Sequence, residues 1–479
     1  MRRVSIFALA IAGAALLGSG CANTRVRNSD AVNDLITARG APPATWPDAT
    51  GQSTRARDAD LIAEKTREPI TVTRAVEIAF LRSPAIRERY AELGISEADV
   101  IAASEIPNPT FGYTGLSESG GGAGQITRGV SLSFANLLFL PARATVANAN
   151  FEGARNRIAA SLLRLQGEVE SSWYEYVAAM QSAQMRESVE RAAEASAEYA
   201  RRLSAAGNLQ ARVLALELAA ASEARIAAAR AKAEVSRTRA AFATLLGLST
   251  RDPWQVAAGL PAPPKSSLSQ AALIESAGDS RLDVLGARVE VAVLESGLRL
   301  TRWWRWLGDL EVGYERESET DGTHLRGPTF RLGIPIFNQN RSGVLRAAAE
   351  LERARARLDA LELAIRNDIA LGLDRLATTR EIAEAYRAAL VPQREAVTQR
   401  TLEQVNFMLT GAFEALQAKR EQYAAYQEYI EAVRDYWLAR VQLRLAVGGK
   451  LPDDGVEAEK INLEQLAPRA TNDLTGEKK

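Results

Sequence analysis

Two side chains in this 479-residue sequence belong to the types that build most metal and nucleophile sites, Cys21 and His324. A zinc or copper centre made from His and Cys is therefore nearly excluded. An intrachain disulfide is excluded, and a Ser-His-Asp triad would have to use His324. Met180, Met185 and Met408 are scattered, with no pair suited to a soft metal. No carboxylate cluster has ligand spacing, and no glycine-rich phosphate loop lies between a strand and a helix. No catalytic residue, metal site or cofactor is predicted. The remaining groups of interest are polar residues beside two glycines, Gly207 and Gly411. Asn208, Gln210 and Arg212 follow the first, and Glu403, Gln404, Asn406 and Glu414 surround the second. Carboxylates there would favour cations if several copies met on one axis; otherwise they are solvated helix ends.

Composition narrows the classes of function. Lys+Arg and Asp+Glu both number 59, so the basic excess that nucleic acid binding needs is missing. At 47% hydrophobic and 25% charged, the chain can bury a core but is too polar for a bundle of membrane helices.

The N-terminus reads as an address. Met1-Arg2-Arg3 precedes the apolar run Val4 to Leu17, then Gly18-Ser19-Gly20-Cys21. The run is too short to span a membrane, so residues 1–20 read as an export signal. The cysteine placement resembles a bacterial lipoprotein signal, although Gly18 stands where Leu is usual. The resemblance implies cleavage before Cys21 and a lipidated thiol, and Ala22 implies outer-membrane sorting. Ordinary cleavage leaving a free thiol is the alternative.

The elements that must position these residues occur twice, about 200 residues apart. Gly112-Tyr113 matches Gly313-Tyr314, Arg128-Gly129 matches Arg326-Gly327, and Arg143 matches Arg341. Gly207 matches Gly411, and Leu246-Gly247 matches Val447-Gly448. The boundaries read as an extended segment 21–70, a first repeat 71–250, a linker 251–278 marked by Pro261, Pro263 and Pro264, a second repeat 279–449, and a flexible tail 450–479. Alternating residues predict strands at about 109–117, 127–136, 309–317 and 325–337. One reading is a soluble sheet with one wet face. Trp303, Trp304 and Trp306 favour a membrane-interface girdle, with a core cluster as the competing explanation. Proline-free runs from Ala142 to Ala206 and from Ser342 to Pro392 predict long helices at about 142–206 and 342–409, the second kinked at Pro392 and continuing beyond it. Shorter helices follow at about 209–247 and 412–447. A run of about 65 residues makes a rod of roughly 100 Å. Gly207 and Gly411 are expected to supply the left-handed residue at each reversal.

Four strands cannot close a membrane barrel, for which about eight is the minimum. Three copies would supply twelve, so the pattern predicts oligomerisation. The duplicated order over about residues 70–450 resembles the TolC-like outer membrane efflux proteins. Leu332-Gly-Ile-Pro-Ile-Phe-Asn-Gln-Asn-Arg341 resembles the strand-to-helix junction of their cation-efflux, Czc and Cus type branch. The first copy departs from it, with Leu138-Phe-Leu-Pro141 at that place. The resemblance implies a mainly α fold with a membrane β-barrel portion. In it, a homotrimer would share a 12-stranded barrel in the outer membrane, and its coiled-coil helices would form a periplasmic α-barrel. It implies a passive conduit, not an enzyme, partnered by outer membrane lipid, a periplasmic membrane-fusion adaptor and an inner-membrane pump of the resistance-nodulation-division class. The exported substrate would be heavy-metal cations, with multidrug export and type I protein secretion as alternatives. The aperture would lie where the long helices turn back, lined by Asn208, Arg212, Glu403, Gln404, Asn406 and Glu414. Adaptor contacts would use the same turns, Ala205 to Leu209 and Leu409 to Phe413, with Gly207, Leu209, Gly411 and Phe413 as the contact residues. A competing class, a coiled-coil lipoprotein that tethers envelope layers, accounts for the rods and Cys21 but not for the four alternating strands.

Overall fold

The computed structural model describes residues 21–46, 60–117, 124–133, 137–257, 259–264, 268–304, 310–334 and 336–452. The export signal, the Gly120-Gly121-Gly122 loop, Trp306, Pro335 and the tail beyond 452 lie outside the described residues. In chain order the main elements are α1 (Cys21–Thr37), α2 (Val72–Arg82), α3 (Pro84–Ser104), β1 (Thr110–Leu116), β2 (Gln125–Ser133), α4 (Leu140–Ala205), α5 (Ala211–Leu246), α6 (Gln270–Ser280), α7 (Leu282–Trp304), β3 (Leu310–Ser318), β4 (His324–Leu332), α8 (Arg341–Ala385), a π-helical turn (Tyr386–Leu390), α9 (Val391–Asn406) and α10 (Ala412–Val447). The chain is mainly helical, with one small antiparallel sheet.

The duplication is metrically regular. Helices α5 and α10 have 36 residues each, offset by 201 positions at both ends (211 to 412, 246 to 447). Helix α4 recurs at the same offset as α8, the π turn and α9 together (140 to 341, 205 to 406). Pro392 does not break the second rod. It has no N–H to donate and its ring crowds the preceding turn, and the helix widens to π geometry over Tyr386–Leu390 just before it.

Two compact units do not coincide with the two repeats; each draws on both. The cause is strand pairing. The sheet order is β1-β2-β3-β4, so β2 of the first repeat pairs with β3 of the second. One unit, Arg89–Ala159 with Leu282–Leu363, contains this sheet. Its helices α7 and α8 are joined by the ion pairs Arg288–Glu362 (3.2 Å) and Arg355–Glu295 (2.6 Å).

The other unit comprises Ser29–Glu88, Ala160–Arg281 and the chain from Ala364. Aromatic residues form much of its core. Tyr174 stacks on Trp437 with centroids 5.2 Å apart, and Tyr176, Phe242 and Trp254 form a second group. Trp173 is buried and Trp437 half-buried, and each indole N–H reaches a carbonyl, Ile70 O at 3.0 Å and Pro261 O at 2.7 Å. Residues 251–278 are therefore not a free linker: Trp254 and Leu260 are buried, and Val256 bridges Ile70. The N-terminal segment also differs from an extended lead. Residues 21–37 are helical, and Val32 and Ile36, one turn apart, fill the core. Buried Glu170 accepts hydrogen bonds from Gln166 (2.9 Å) and Arg444, which satisfies its charge.

Candidate functional site

Two regions carry the candidate functional groups: the sheet in one unit and the helix reversals in the other. In the sheet, directly opposed residues share a face. The register sets Phe111 opposite Val130, Val130 opposite Tyr314, and Tyr314 opposite Pro328. It sets Leu132 opposite Val312 and Val312 opposite Phe330. These rows make one face largely apolar, and its large side chains are exposed: Phe111 is 67% exposed and Phe330 66%. The opposite face carries Thr127, Ser131, Ser133, Glu311, Glu315 and Glu317, each partly covered, with Leu116 and Leu325 exposed at its hairpin end. Arg331 on that face reaches Glu311 (3.3 Å) and Glu315 (3.8 Å), and Gln125 donates to Glu317. Gly129 makes room there, because a Cβ on it would sit 2.7 Å from Glu315 Cγ.

This polarity is the reverse of a water-soluble sheet, which hides its apolar face. Among the described residues, strands β1 and β4 also have no partner on their outer sides. Trp303, at the end of α7, is 77% exposed and so is not a core residue. His324 is not in the hairpin loop. It opens β4, and its Nδ1 lies 2.6 Å from Ser318 Oγ on β3.

At the first reversal, Gly207 is left-handed (φ 75°) as expected. Its N–H donates to Ser204 O and that of Asn208 to Leu203 O. At the second reversal the left-handed residue is Met408 (φ 58°), not Gly411. The Met408 N–H donates to Val405 O and the Leu409 N–H to Gln404 O, the same closure displaced by 201 positions. Gly411 is extended (φ −88°, ψ 161°) and precedes α10, where Gln210 precedes α5. Matching glycine to glycine thus misplaced the equivalence by three residues. Phe407, Met408 and Leu409 are strongly exposed, and the sequence reading passed over the first two as contact residues. Their signal was an apolar triplet at a helix end, where polar caps are usual.

Asn208, Arg212, Glu403, Gln404, Asn406 and Glu414 are all exposed at these two ends. Within one protomer no hydrogen bond joins Arg212 to Glu403 or Glu414 among the described residues. Leu209 is half-buried, and Phe413 meets Tyr199 with ring centroids 5.5 Å apart. Just behind the second reversal, Thr398 donates to Ala418 O (3.2 Å), Arg394 pairs with Glu421, and Tyr426 donates to Glu395. Burial and the Glu395 carboxylate push the Tyr426 phenol well above its ordinary range. Cys21 is the first residue of α1.

No helix among the described residues is long and apolar enough to cross a membrane. No family model and no curated relative matches the sequence. Solved structures do. The open state of the Neisseria gonorrhoeae MtrE outer membrane channel aligns at a TM-score of 0.66 with 16% identity, over 79% of this chain and 89% of that one. CusC, studied for conformational changes accompanying folding and transmembrane channel formation, aligns at 0.65 with 14% identity, over 80% and 93%. The outer membrane protein VceC of Vibrio cholerae aligns at 0.62 with 14% identity, over 84% and 99%. The chain has the fold of the TolC-like outer membrane channels.

Proposed function

We propose that this chain is the outer membrane channel of a tripartite efflux system, a passive homotrimeric conduit and not an enzyme. The observation that carries the reading is the inverted sheet: an exposed apolar face, a polar face lined with carboxylates, and two unpaired edges. Three such sheets joined edge to edge satisfy every strand and place the apolar face against lipid. The polar faces then line a lumen in which Glu311, Glu315 and Glu317 outnumber Arg331. The hairpin ends face the exterior, because the other ends continue into helices far longer than a bilayer is thick.

At the reversals, Gly207, Leu209, Phe407, Met408 and Phe413 offer the surface for a periplasmic adaptor, and an inner-membrane pump of the resistance-nodulation-division class supplies the energy. Glu403 and Glu414, repeated three times around an axis, form an acidic aperture that admits cations. Heavy-metal cations are the proposed substrate. The carboxylates of the polar face and of the aperture support this. Cys21 is proposed as the lipid anchor.

Planar-bilayer recording of the purified full chain tests the conduit, with cross-linking to count protomers. Trimers with steady conductance are expected; a monomer that gives none would overturn the reading. Growth of a deletion strain across divalent metals, silver, copper and a drug panel tests the substrate. Sensitivity to drugs with normal metal tolerance would keep the channel and discard the metal assignment.

A further inference from the structure

One row of the apolar face breaks its chemistry. Arg128 on β2 lies opposite Arg316 on β3, and Arg316 lies opposite Arg326 on β4. Three guanidinium groups thus occupy adjacent positions across three strands, within about 10 Å at the usual strand spacing. All three residues are exposed. Opposed like charges destabilise a sheet unless something neutralises them. Nothing described does. Among the described residues none of the three forms an ion pair, and the strand carboxylates Glu311, Glu315 and Glu317 alternate onto the other face. Beyond the row, in the turn, the Thr323 amide engages Asp321. The only partner found is Tyr113, whose ring lies 5.8 Å from the Arg128 guanidinium carbon.

The position of the row limits what can neutralise it. It lies at the hairpin end of the apolar band, about 20 Å along β3 from Leu310 at the usual rise per residue. If the band sits in hydrocarbon, as proposed above, the arginines emerge at the headgroups of the leaflet facing the hairpin ends. Arginine binds phosphate through paired, charge-assisted hydrogen bonds, and the apolar rows beneath would hold the acyl chains of the same molecule.

We propose that Arg128, Arg316 and Arg326 form a binding site for the phosphate groups of an outer-leaflet phosphorylated glycolipid, repeated on each protomer. This rests on the channel reading. The ligand neutralises the row and ties the barrel to the surrounding leaflet. Arg331, on the polar face, takes no part.

The test is retention of lipid A by the full-length protein, purified in detergent and counted by native mass spectrometry, with conductance measured on the same samples. Arg128→Gln/Arg316→Gln/Arg326→Gln should lower retention at least about tenfold, and Arg331→Gln should leave it within about twofold. Equal retention by the wild type and the triple variant, with both conducting, would overturn this inference and leave the channel standing. A wild-type protein that forms no conducting trimers would overturn both. Displacement of lipid A by equimolar inorganic phosphate would show a free-anion site and overturn the lipid assignment. If the triple variant does not assemble, Arg316→Gln at the centre of the row should lower retention about threefold, and no loss would overturn the proposal.

Discussion

Two glycines at helix ends share a left-handed backbone but not their surroundings, and the contrast predicts different costs for the same substitution. Gly207 has φ 75°, and a Cβ added there meets nothing within 4 Å. Gly448, which ends α10, has φ 90°, and its added Cβ would lie 2.6 Å from Arg281 Cγ and 3.0 Å from Arg281 Cα. Arg281 cannot simply swing away. Its Nη1 donates to Ala446 O at 3.0 Å, and its own N–H donates to Ala277 O at the end of α6. Gly207→Ala should therefore cost only the left-handed penalty, about 1 kcal/mol after the gain from a less flexible unfolded chain. Gly448→Ala adds overpacking against fixed backbone, for a total of about 3 kcal/mol. At roughly 2 °C per kcal/mol in a chain of this size, the melting points should fall by about 2 °C and about 6 °C. Thermal unfolding of the detergent-solubilised protein, followed by helical circular dichroism, measures both. Equal losses, or a larger loss for Gly207→Ala, would refute the reasoning.

Proline separates the two reversals in another way: Gly411 is extended near the φ that proline adopts and Gly207 is not, so Gly411→Pro should preserve efflux and Gly207→Pro should abolish it, read as metal tolerance of complemented cells. Arg444→Met leaves buried Glu170 with Gln166 as its one side-chain partner among the described residues and should destabilise by about 3–5 kcal/mol, measured by denaturant titration. Glu403→Ala and Glu414→Ala should lower single-channel conductance and cation preference; unchanged values in both would remove the acidic-aperture idea. Tyr426 is harder to ionise folded than unfolded, so it contributes stability that is full below about pH 10 and is lost as the pH rises above that. Tyr426→Phe should flatten that alkaline loss, and an unchanged slope would count against the burial argument.

Local signals made much of this legible in the sequence. Proline-free runs rich in Ala, Leu, Arg and Glu specify long helices whatever they pack against, and alternation marks a strand from its own residues. The duplication shows for the same reason, because each copy repeats its local pattern. Other features were hidden for separate reasons, one local and one distant. A single turn decided that Met408 takes the left-handed position: its closure uses backbone hydrogen bonds open to any residue, so glycine was a misleading guide. Val32 and Ile36 gave too short a pattern to mark a helix until a core was present to bury them.

By itself, the sequence determined the four strands, the long helices, their order and their repetition, because these follow from propensity and period along the chain. Only the tertiary structure decided the pairing of β2 with β3, strands from different repeats nearly two hundred residues apart. A slip of one residue in that register would move every side chain of one strand to the other face. That pairing set the apolar residues of both repeats on one face, left the carboxylates on the other, and brought Arg128 beside the Arg316–Arg326 pair of the second hairpin.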